Sequence, residues 1–133
     1  METKTLDEVR AIFANDRFAT ENGAVIDEIG DHRATCSLTI TERHKNAMGA
    51  VMGGVPFTLA DFAFAVASNW QNPGTVSLCS NITYLGTAKG GRLTAKASCV
   101  KDGRTTCYYR VDVSDDLGNP VAAVTATGYH KPR

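Results

Sequence analysis

One carboxylate stands in the middle of the most apolar segment of the sequence. Residues 55–69 read VPFTLADFAFAVASN, and Asp61 is the only charged residue among them. An ionised carboxylate removed from water needs a partner or a chemical role, and no basic residue lies within one helical turn of it. Asp61 is therefore a candidate nucleophile or general base. Alternatively, the Asp61 carboxylate reaches solvent or accepts hydrogen bonds from the backbone of a strand.

A pair of glycines, Gly53 and Gly54, precedes this segment and offers a second chemical group. The first N–H groups of a helix lack partners within it and carry the positive end of its dipole. Glycine also lets another group approach the backbone closely. An oxygen that becomes negative during a reaction would be stabilised there. The two glycines could equally form only a tight turn from loop to helix.

The spacing of these groups has a consequence for how a site could be built. Pro56 in the first turn and apolar residues nearly all round predict a buried helix over residues 55–69. At 1.5 Å per residue, Asp61 lies roughly 12 Å from Gly53 along such a helix. A carbonyl bound by the Gly53 N–H is then out of reach of Asp61 in the same chain. If both groups act together, two chains form each site, as in a symmetric dimer.

The rest of the sequence predicts a short N-terminal helix and six strands. Thr5 and Glu8 have capping-box spacing for a helix over residues 5–15, and residues 15–23 are a polar connection. Alternating residues between turn signals predict strands over 24–29, 32–41, 75–85, 92–101, 105–113 and 121–130. We expect one α+β domain over residues 1–133, in which an antiparallel sheet wraps the long helix and a sheet edge pairs two chains.

The composition argues against several partners. Fourteen basic and fourteen acidic residues cancel, so nucleic acid or a membrane surface is not expected to bind. The N-terminus lacks an apolar signal-peptide core and no segment is long enough to span a membrane, which favours a cytoplasmic protein.

Cysteines and histidines show no metal-binding spacing, so neither a metal nor a cofactor is predicted. The cysteines fall in predicted strands and are interpreted as buried reduced thiols. His44 is interpreted as a surface loop residue and not as a base. The residues concerned are Cys36, Cys79, Cys99, Cys107, His32, His44 and His130.

Two stretches together resemble a known family. Residues 46–61 read NAMGAVMGGVPFTLAD and residues 76–85 read VSLCSNITYL. Both are similar to the hotdog-fold thioesterases of the PaaI, or phenylacetate-pathway, type, and the likeness extends from about residue 18 to residue 130. The resemblance implies hydrolysis of small to medium or aromatic acyl-CoA to free acid and CoA, with CoA present only as part of the substrate.

The resemblance also assigns roles to residues. Asp61 would attack the thioester or activate water, the Gly53 N–H would polarise the carbonyl, Asn46 would belong to the site and Ser77 would orient water. Sites would be shared between the chains of a homodimer, and dimers would pair into tetramers. The CoA arm would contact a further set, in which the basic side chains suit phosphates: Tyr84, Lys89, Lys101, Gly103, Arg104 and Thr105.

One position departs from the family pattern. The family has His-Gly-Gly where this chain has Met52, Gly53 and Gly54. Methionine cannot donate a hydrogen bond, so Met52 and Gly54 would line the substrate pocket instead. This leaves a hotdog module that binds acyl-CoA without hydrolysing it as an alternative. A hotdog dehydratase would need a histidine in the central helix, and residues 56–69 contain none.

Overall fold

Six antiparallel strands form one sheet in the computed structural model, which describes residues 3–132. The strands are β1 (Val25–Gly30), β2 (Arg33–Thr39), β3 (Thr75–Tyr84), β4 (Arg92–Asp102), β5 (Thr106–Asp115) and β6 (Pro120–His130). Their order across the sheet is β1-β2-β4-β5-β6-β3, so β1 and β3 are the edges. All six predicted strands are present, with ends that differ from the prediction by two residues or fewer.

Within residues 3–132, three α-helices accompany the sheet: α1 (Leu6–Phe13), α2 (Arg17–Glu21) and α3 (Gly54–Asn69). A short 3₁₀ helix, Glu42–His44, lies in the loop before α3. The predicted capping box of α1 is present, because the Glu8 N–H donates to Thr5 Oγ1 and the Thr5 N–H donates to Glu8 Oε1. The five-residue α2 was not predicted, since one turn and a half is too short to reveal a helical period. It fills part of the connection expected to be a loop and lies against α3.

The long helix α3 packs into the concave face of the sheet, chiefly over β2 and β4. Leu59, Ala60, Ala63 and Val66 have no exposed surface, as expected for an apolar helix inside a sheet. The expectation of burial on every side is wrong for one stripe, where Asp61 is exposed and Ala65 half-buried. The sheet encloses the helix on the other sides, which confirms the predicted hotdog architecture and leaves this stripe open in a single chain.

The edge strand β3 is open on both faces. Between Val76 and Tyr84 only two residues, Ser80 and Ile82, are partly covered. A bulge near Leu78 interrupts its pairing with β6, its neighbour in the sheet. The interpretation of all four cysteines as buried is therefore wrong for Cys79, which is exposed because it lies on this strand, and Cys99 is half-buried.

His44 is buried, so its interpretation as a surface residue is wrong. Its Nδ1 accepts a hydrogen bond from the Thr41 N–H at 2.9 Å, and its Nε2 lies 2.6 Å from the carbonyl oxygen of Asn22. The ring thus ties the loop before α3 to the segment after α2. No helix within residues 3–132 is long and apolar enough to cross a membrane.

Candidate active site

The loop before α3 is built around the Asn46 side chain. Its Oδ1 accepts hydrogen bonds from the N–H groups of Met48 (3.0 Å) and Ala50 (3.1 Å), and Lys45 pairs with Val51 as a short antiparallel bridge. The carboxamide oxygen is therefore committed to the loop. Its Nδ2 donates to no atom of residues 3–132, so the amide N–H is the part of Asn46 that can contact a ligand.

Gly53 lies beside the same loop, at the start of α3. The Tyr84 hydroxyl donates to the Gly53 carbonyl oxygen at 2.7 Å, and a Cβ at Gly53 would stand 3.0 Å from that hydroxyl. Within the described chain neither Gly53 nor Gly54 uses its N–H in a hydrogen bond. Asn46, Gly53 and Tyr84 line a groove of about 420 Å³, and two unpaired donors at a helix start suit an oxygen that gains negative charge.

Met52 occupies the position before these donors. Its side chain is 52% exposed, and its N–H donates to the His44 carbonyl oxygen at 2.9 Å. Its terminal methyl lies only 2.8 Å from where a Cβ on Gly54 would be. The Met52 methyl therefore lies against Gly54, and neither residue is among those that line the groove of Asn46, Gly53 and Tyr84. The pocket-lining role of Met52 and Gly54 stays a prediction.

Asp61 lies in a different groove, halfway along the open stripe of α3. This groove of about 380 Å³ is lined in part by Asp16 and Phe18, which flank the start of α2, and by Phe57. Although the Asp61 residue is exposed in a single chain, its carboxyl is partly screened from water by the groove. This partial burial raises the pKa of the Asp61 carboxyl, and the nearby Asp16 carboxylate raises that pKa further. A carboxylate with a raised pKa is a better base than an ordinary aspartate. Sequence reasoning missed Asp16 and Phe18, although an isolated phenylalanine in a polar stretch was a signal.

One chain does not bring Gly53 and Asp61 together. The helix α3 is continuous from Gly54 to Asn69, so Asp61, eight positions after Gly53, lies roughly 12 Å from it along the helix. Ser77 is also remote: it is exposed on β3, seven residues or roughly 23 Å along the strand from Tyr84. Its hydroxyl lies 3.2 Å from that of Ser80.

The residues predicted to hold the CoA arm fall into two groups. Tyr84 and Lys89 lie near the Gly53 groove, whose lining includes Ala88, the residue before Lys89. The other group lies at the end of β4 and in the turn into β5, beside the C-terminal end of α3. Its members are Lys101, Gly103, Arg104 and Thr105. The 16 residues of α3 separate the two groups by roughly 24 Å.

Comparisons with known proteins agree with this architecture. Residues 48–122 match the thioesterase superfamily. Acyl-coenzyme A thioesterase PaaI of Escherichia coli is 30% identical over 123 residues, which are 92% of this chain and 88% of that protein. The solved structure of the E. coli PaaI protein from the phenylacetic acid degradation operon has a TM-score of 0.87 at 27% identity, over 96% of this chain and 97% of that one.

A second solved structure is similar in the same way. A hypothetical thioesterase protein of Streptococcus pneumoniae, crystallised with coenzyme A, has a TM-score of 0.83 at 27% identity, over 91% of this chain and 98% of that one. The sheet wrapped round one long helix is the hotdog fold of these thioesterase structures. This chain belongs to the thioesterase superfamily, and the predicted resemblance to its PaaI-type members is confirmed.

Proposed function

We propose that the protein hydrolyses the thioester of small to medium or aromatic acyl-CoA, in sites that two chains share. The observation that carries the proposal is the separation of two reactive groups along α3. The free N–H donor at Gly53 and the basic carboxylate of Asp61 lie roughly 12 Å apart. The E. coli relative named as an acyl-CoA thioesterase and the Streptococcus structure with coenzyme A support the substrate class.

The open edge of β3 supports the sharing of sites. An exposed strand edge readily pairs with another strand, and β3 has exposed apolar residues at Val76 and Leu78. Antiparallel pairing of β3 with its own copy about a twofold axis near the strand centre sets Ser77 of one protomer within about two residues of Tyr84 of its partner. Ser77, remote from the Gly53 groove in its own chain, then lies close to the Gly53 groove of the other chain.

The proposed reaction uses the groups of both half-sites. The thioester carbonyl oxygen accepts from the Gly53 N–H, with the Asn46 amide as a second donor, while Asp61 of the partner lies at the carbonyl carbon. As a base, Asp61 takes a proton from a water that Ser77 orients, and the hydroxide adds to the carbonyl carbon. The C–S bond then breaks and the CoA thiolate takes up a proton. As a nucleophile, Asp61 instead forms an acyl anhydride that water cleaves.

Met52 favours the second candidate function, a module that binds acyl-CoA without hydrolysing it. The family's histidine would add a donor beside the carbonyl, and the thioether cannot replace it. Polarisation of the carbonyl then depends on the Gly53 N–H and the Asn46 amide, and donors of these two kinds supply a large share of such stabilisation in acyl transfer. We therefore favour hydrolysis.

The test is thiol release from a panel of acetyl-, hexanoyl-, decanoyl- and phenylacetyl-CoA. We expect the wild type to hydrolyse at least one of them and Asp61→Asn to lose about 10³-fold or more in kcat, because a catalytic group is removed. Asp112→Asn, the same change on the exposed face of β5, is the matched control and should keep full activity.

Binding of CoA esters without thiol release by the wild type would establish the binding module instead. Equal rates for Asp61→Asn and the wild type would remove Asp61 from the site.

A further inference from the structure

A second cavity, of about 540 Å³, lies at the C-terminal end of α3, remote from Gly53. Its lining includes His32, Asp102, Tyr109 and His130, none of which takes part in the proposed hydrolysis. The exposed turn residues predicted for the CoA arm line another part of the same cavity. A concentration of imidazole, carboxylate and phenol groups in one cavity calls for a chemical explanation.

The sheet register brings three metal-ligand types together here. Asp102 on β4 pairs with Cys107 on β5, and Cys107 pairs with Gly128 on β6. Two residues beyond Gly128, on the same face, stands His130. A carboxylate oxygen of Asp102, the sulfur of Cys107 and a ring nitrogen of His130 all lie within 4.8 Å of one another. No sequence motif revealed them, because each donor comes from a different strand.

The imidazole rings are held with the same nitrogen directed at this cluster. His130 has its Nδ1 2.7 Å from the Thr75 hydroxyl and its Nε2 2.7 Å from Asp102 Oδ1. His32 has its Nδ1 3.3 Å from the Tyr109 hydroxyl, and its Nε2 lies between two carboxylates, 3.8 Å from Asp31 Oδ1 and 3.9 Å from Asp102 Oδ2. Histidines that bind metals usually have the other ring nitrogen fixed by such a hydrogen bond, which sets the tautomer and the ring orientation.

We propose that Asp102, Cys107 and His130 bind one divalent transition-metal ion of the zinc class, with His32 as the fourth donor. Mixed thiolate, imidazole and carboxylate donors in tetrahedral geometry are typical of zinc. Such an ion holds its ligand atoms about 3.3 to 3.6 Å apart, so the three present atoms reach it with shifts of about 1 Å. His32 lies outside the 4.8 Å cluster and reaches the fourth position when its ring turns further toward Asp102.

Proton balance is simple at this site. Cys107 binds as the thiolate, so its thiol proton passes to solvent. In the metal-free protein the 2.7 Å contact of His130 Nε2 with Asp102 Oδ1 contains a proton. On binding, this proton moves to Nδ1, where the Thr75 oxygen accepts it, and the unprotonated Nε2 binds the ion. The bound ion would connect β4, β5 and β6, and through Thr75 it would also fix the start of β3.

The test is titration of chelator-treated full-length protein with Zn²⁺ by calorimetry and with Co²⁺ by absorption. We expect one ion per chain and, for Co²⁺, a thiolate charge-transfer band together with the intense visible bands of a tetrahedral site. Cys107→Ser should abolish the charge-transfer band, and His130→Gln should weaken Zn²⁺ binding by more than about 100-fold, since loss of even an outer partner costs 10- to 100-fold. Asp61→Asn should bind zinc like the wild type, so this result is independent of thioesterase activity.

Cys79→Ser is the matched control, because it makes the same change at an exposed cysteine on β3. It should keep both the Zn²⁺ affinity and the charge-transfer band. Loss of the band in Cys79→Ser, its survival in Cys107→Ser, or the absence of stoichiometric Zn²⁺ binding would each overturn the proposal. Circular dichroism reports whether Cys107→Ser folds. If it does not, His130→Gln and Asp102→Asn, which alter less buried side chains, decide the question.

Discussion

Two carboxylates, Asp61 and Asp16, line one groove beside α3. The isolation of Asp61 among apolar residues predicted a nucleophile or a general base. The structure adds a neighbouring carboxylate that the sequence did not reveal. Asp16 lines the same groove and raises the pKa of the Asp61 carboxyl, after the larger effect of burial. This neighbour could not be predicted, because α2 is too short to have a recognisable period and its place against α3 depends on the tertiary fold.

Asp16 gives a prediction at the residue scale. In the proposed reaction Asp61 acts as the carboxylate, so activity should fall as the pH drops through the pKa of Asp61. Because that pKa is raised, the acid limb should lie at higher pH than for an unperturbed aspartate. Asp16→Asn removes the repelling charge and lowers the pKa of Asp61, so the acid limb of kcat/KM should move to lower pH. The measurement is the pH profile of kcat/KM.

Asp7→Asn is the control for this shift, since Asp7 is 95% exposed and lies on α1. It makes the same change of charge and should leave the acid limb where it is in the wild type. An unchanged profile in Asp16→Asn, or an equal shift in both variants, would contradict the coupling of Asp16 to Asp61.

Gly53 was proposed for the site from its residue type and Asn46 from the family resemblance, but the contacts that each residue makes were not predicted. The sequence predicted Asn46 as a polar group of the site, and the structure leaves only its amide N–H available, because its oxygen holds the loop. Gly53 was expected to allow close approach, and the group that approaches it is the Tyr84 ring. Contacts of this kind depend on where β3 passes α3, which local sequence does not specify.

At the scale of elements, periodicity predicted the strands and the long helix well. Alternation of apolar and polar residues was clearest in β2 and β5, where one face is buried against α3. It failed to predict the environment of β3, because an edge strand exposed on both faces has the same residue types as a half-buried one. Cys79 was misplaced for this reason.

The open edge of β3 gives a prediction at this scale. Leu78 is 60% exposed near the middle of the strand, so Leu78→Lys places like charges at a seam between two copies of β3. We expect the wild type to sediment as a dimer or larger assembly and Leu78→Lys to shift toward the monomer. Thioesterase activity should fall by about tenfold or more, because each proposed site would lack the residues of the second chain.

Leu117→Lys is the control, because Leu117 is 66% exposed in the turn between β5 and β6. It should keep both the assembly and the activity of the wild type. A monomeric wild type with full activity would contradict a seam at β3, as would a Leu78→Lys variant that stays dimeric and active.

At the scale of the whole molecule, the candidate functional groups lie at three places along α3. Gly53 and Tyr84 stand at one end, Asp61 at the middle, and the cavity around Asp102 and His130 at the other end. Helix rise alone predicted that Gly53 and Asp61 are too far apart for one site. The separation of the predicted CoA-binding residues was not predictable, because it follows from the strand order of the sheet.

Each proposed site takes Gly53 from one chain and Asp61 from its partner, and a dimer of two different variants tests this arrangement. Gly53 has φ −57° and ψ −30°, which proline can adopt, so Gly53→Pro removes the N–H with the backbone nearly unchanged. Gly53→Ala is its matched control, since it adds the same Cβ against Tyr84 and keeps the N–H. Each chain would carry a different affinity tag, so that only dimers of one Gly53→Pro chain and one Asp61→Asn chain are purified.

Both parent dimers should be nearly inactive, because every site in them lacks either the N–H donor or the carboxylate. The mixed dimer has one site with an intact Gly53 from one chain and an intact Asp61 from the other. We predict that it recovers about half of the wild-type kcat. A mixed dimer no more active than its parents would contradict the account.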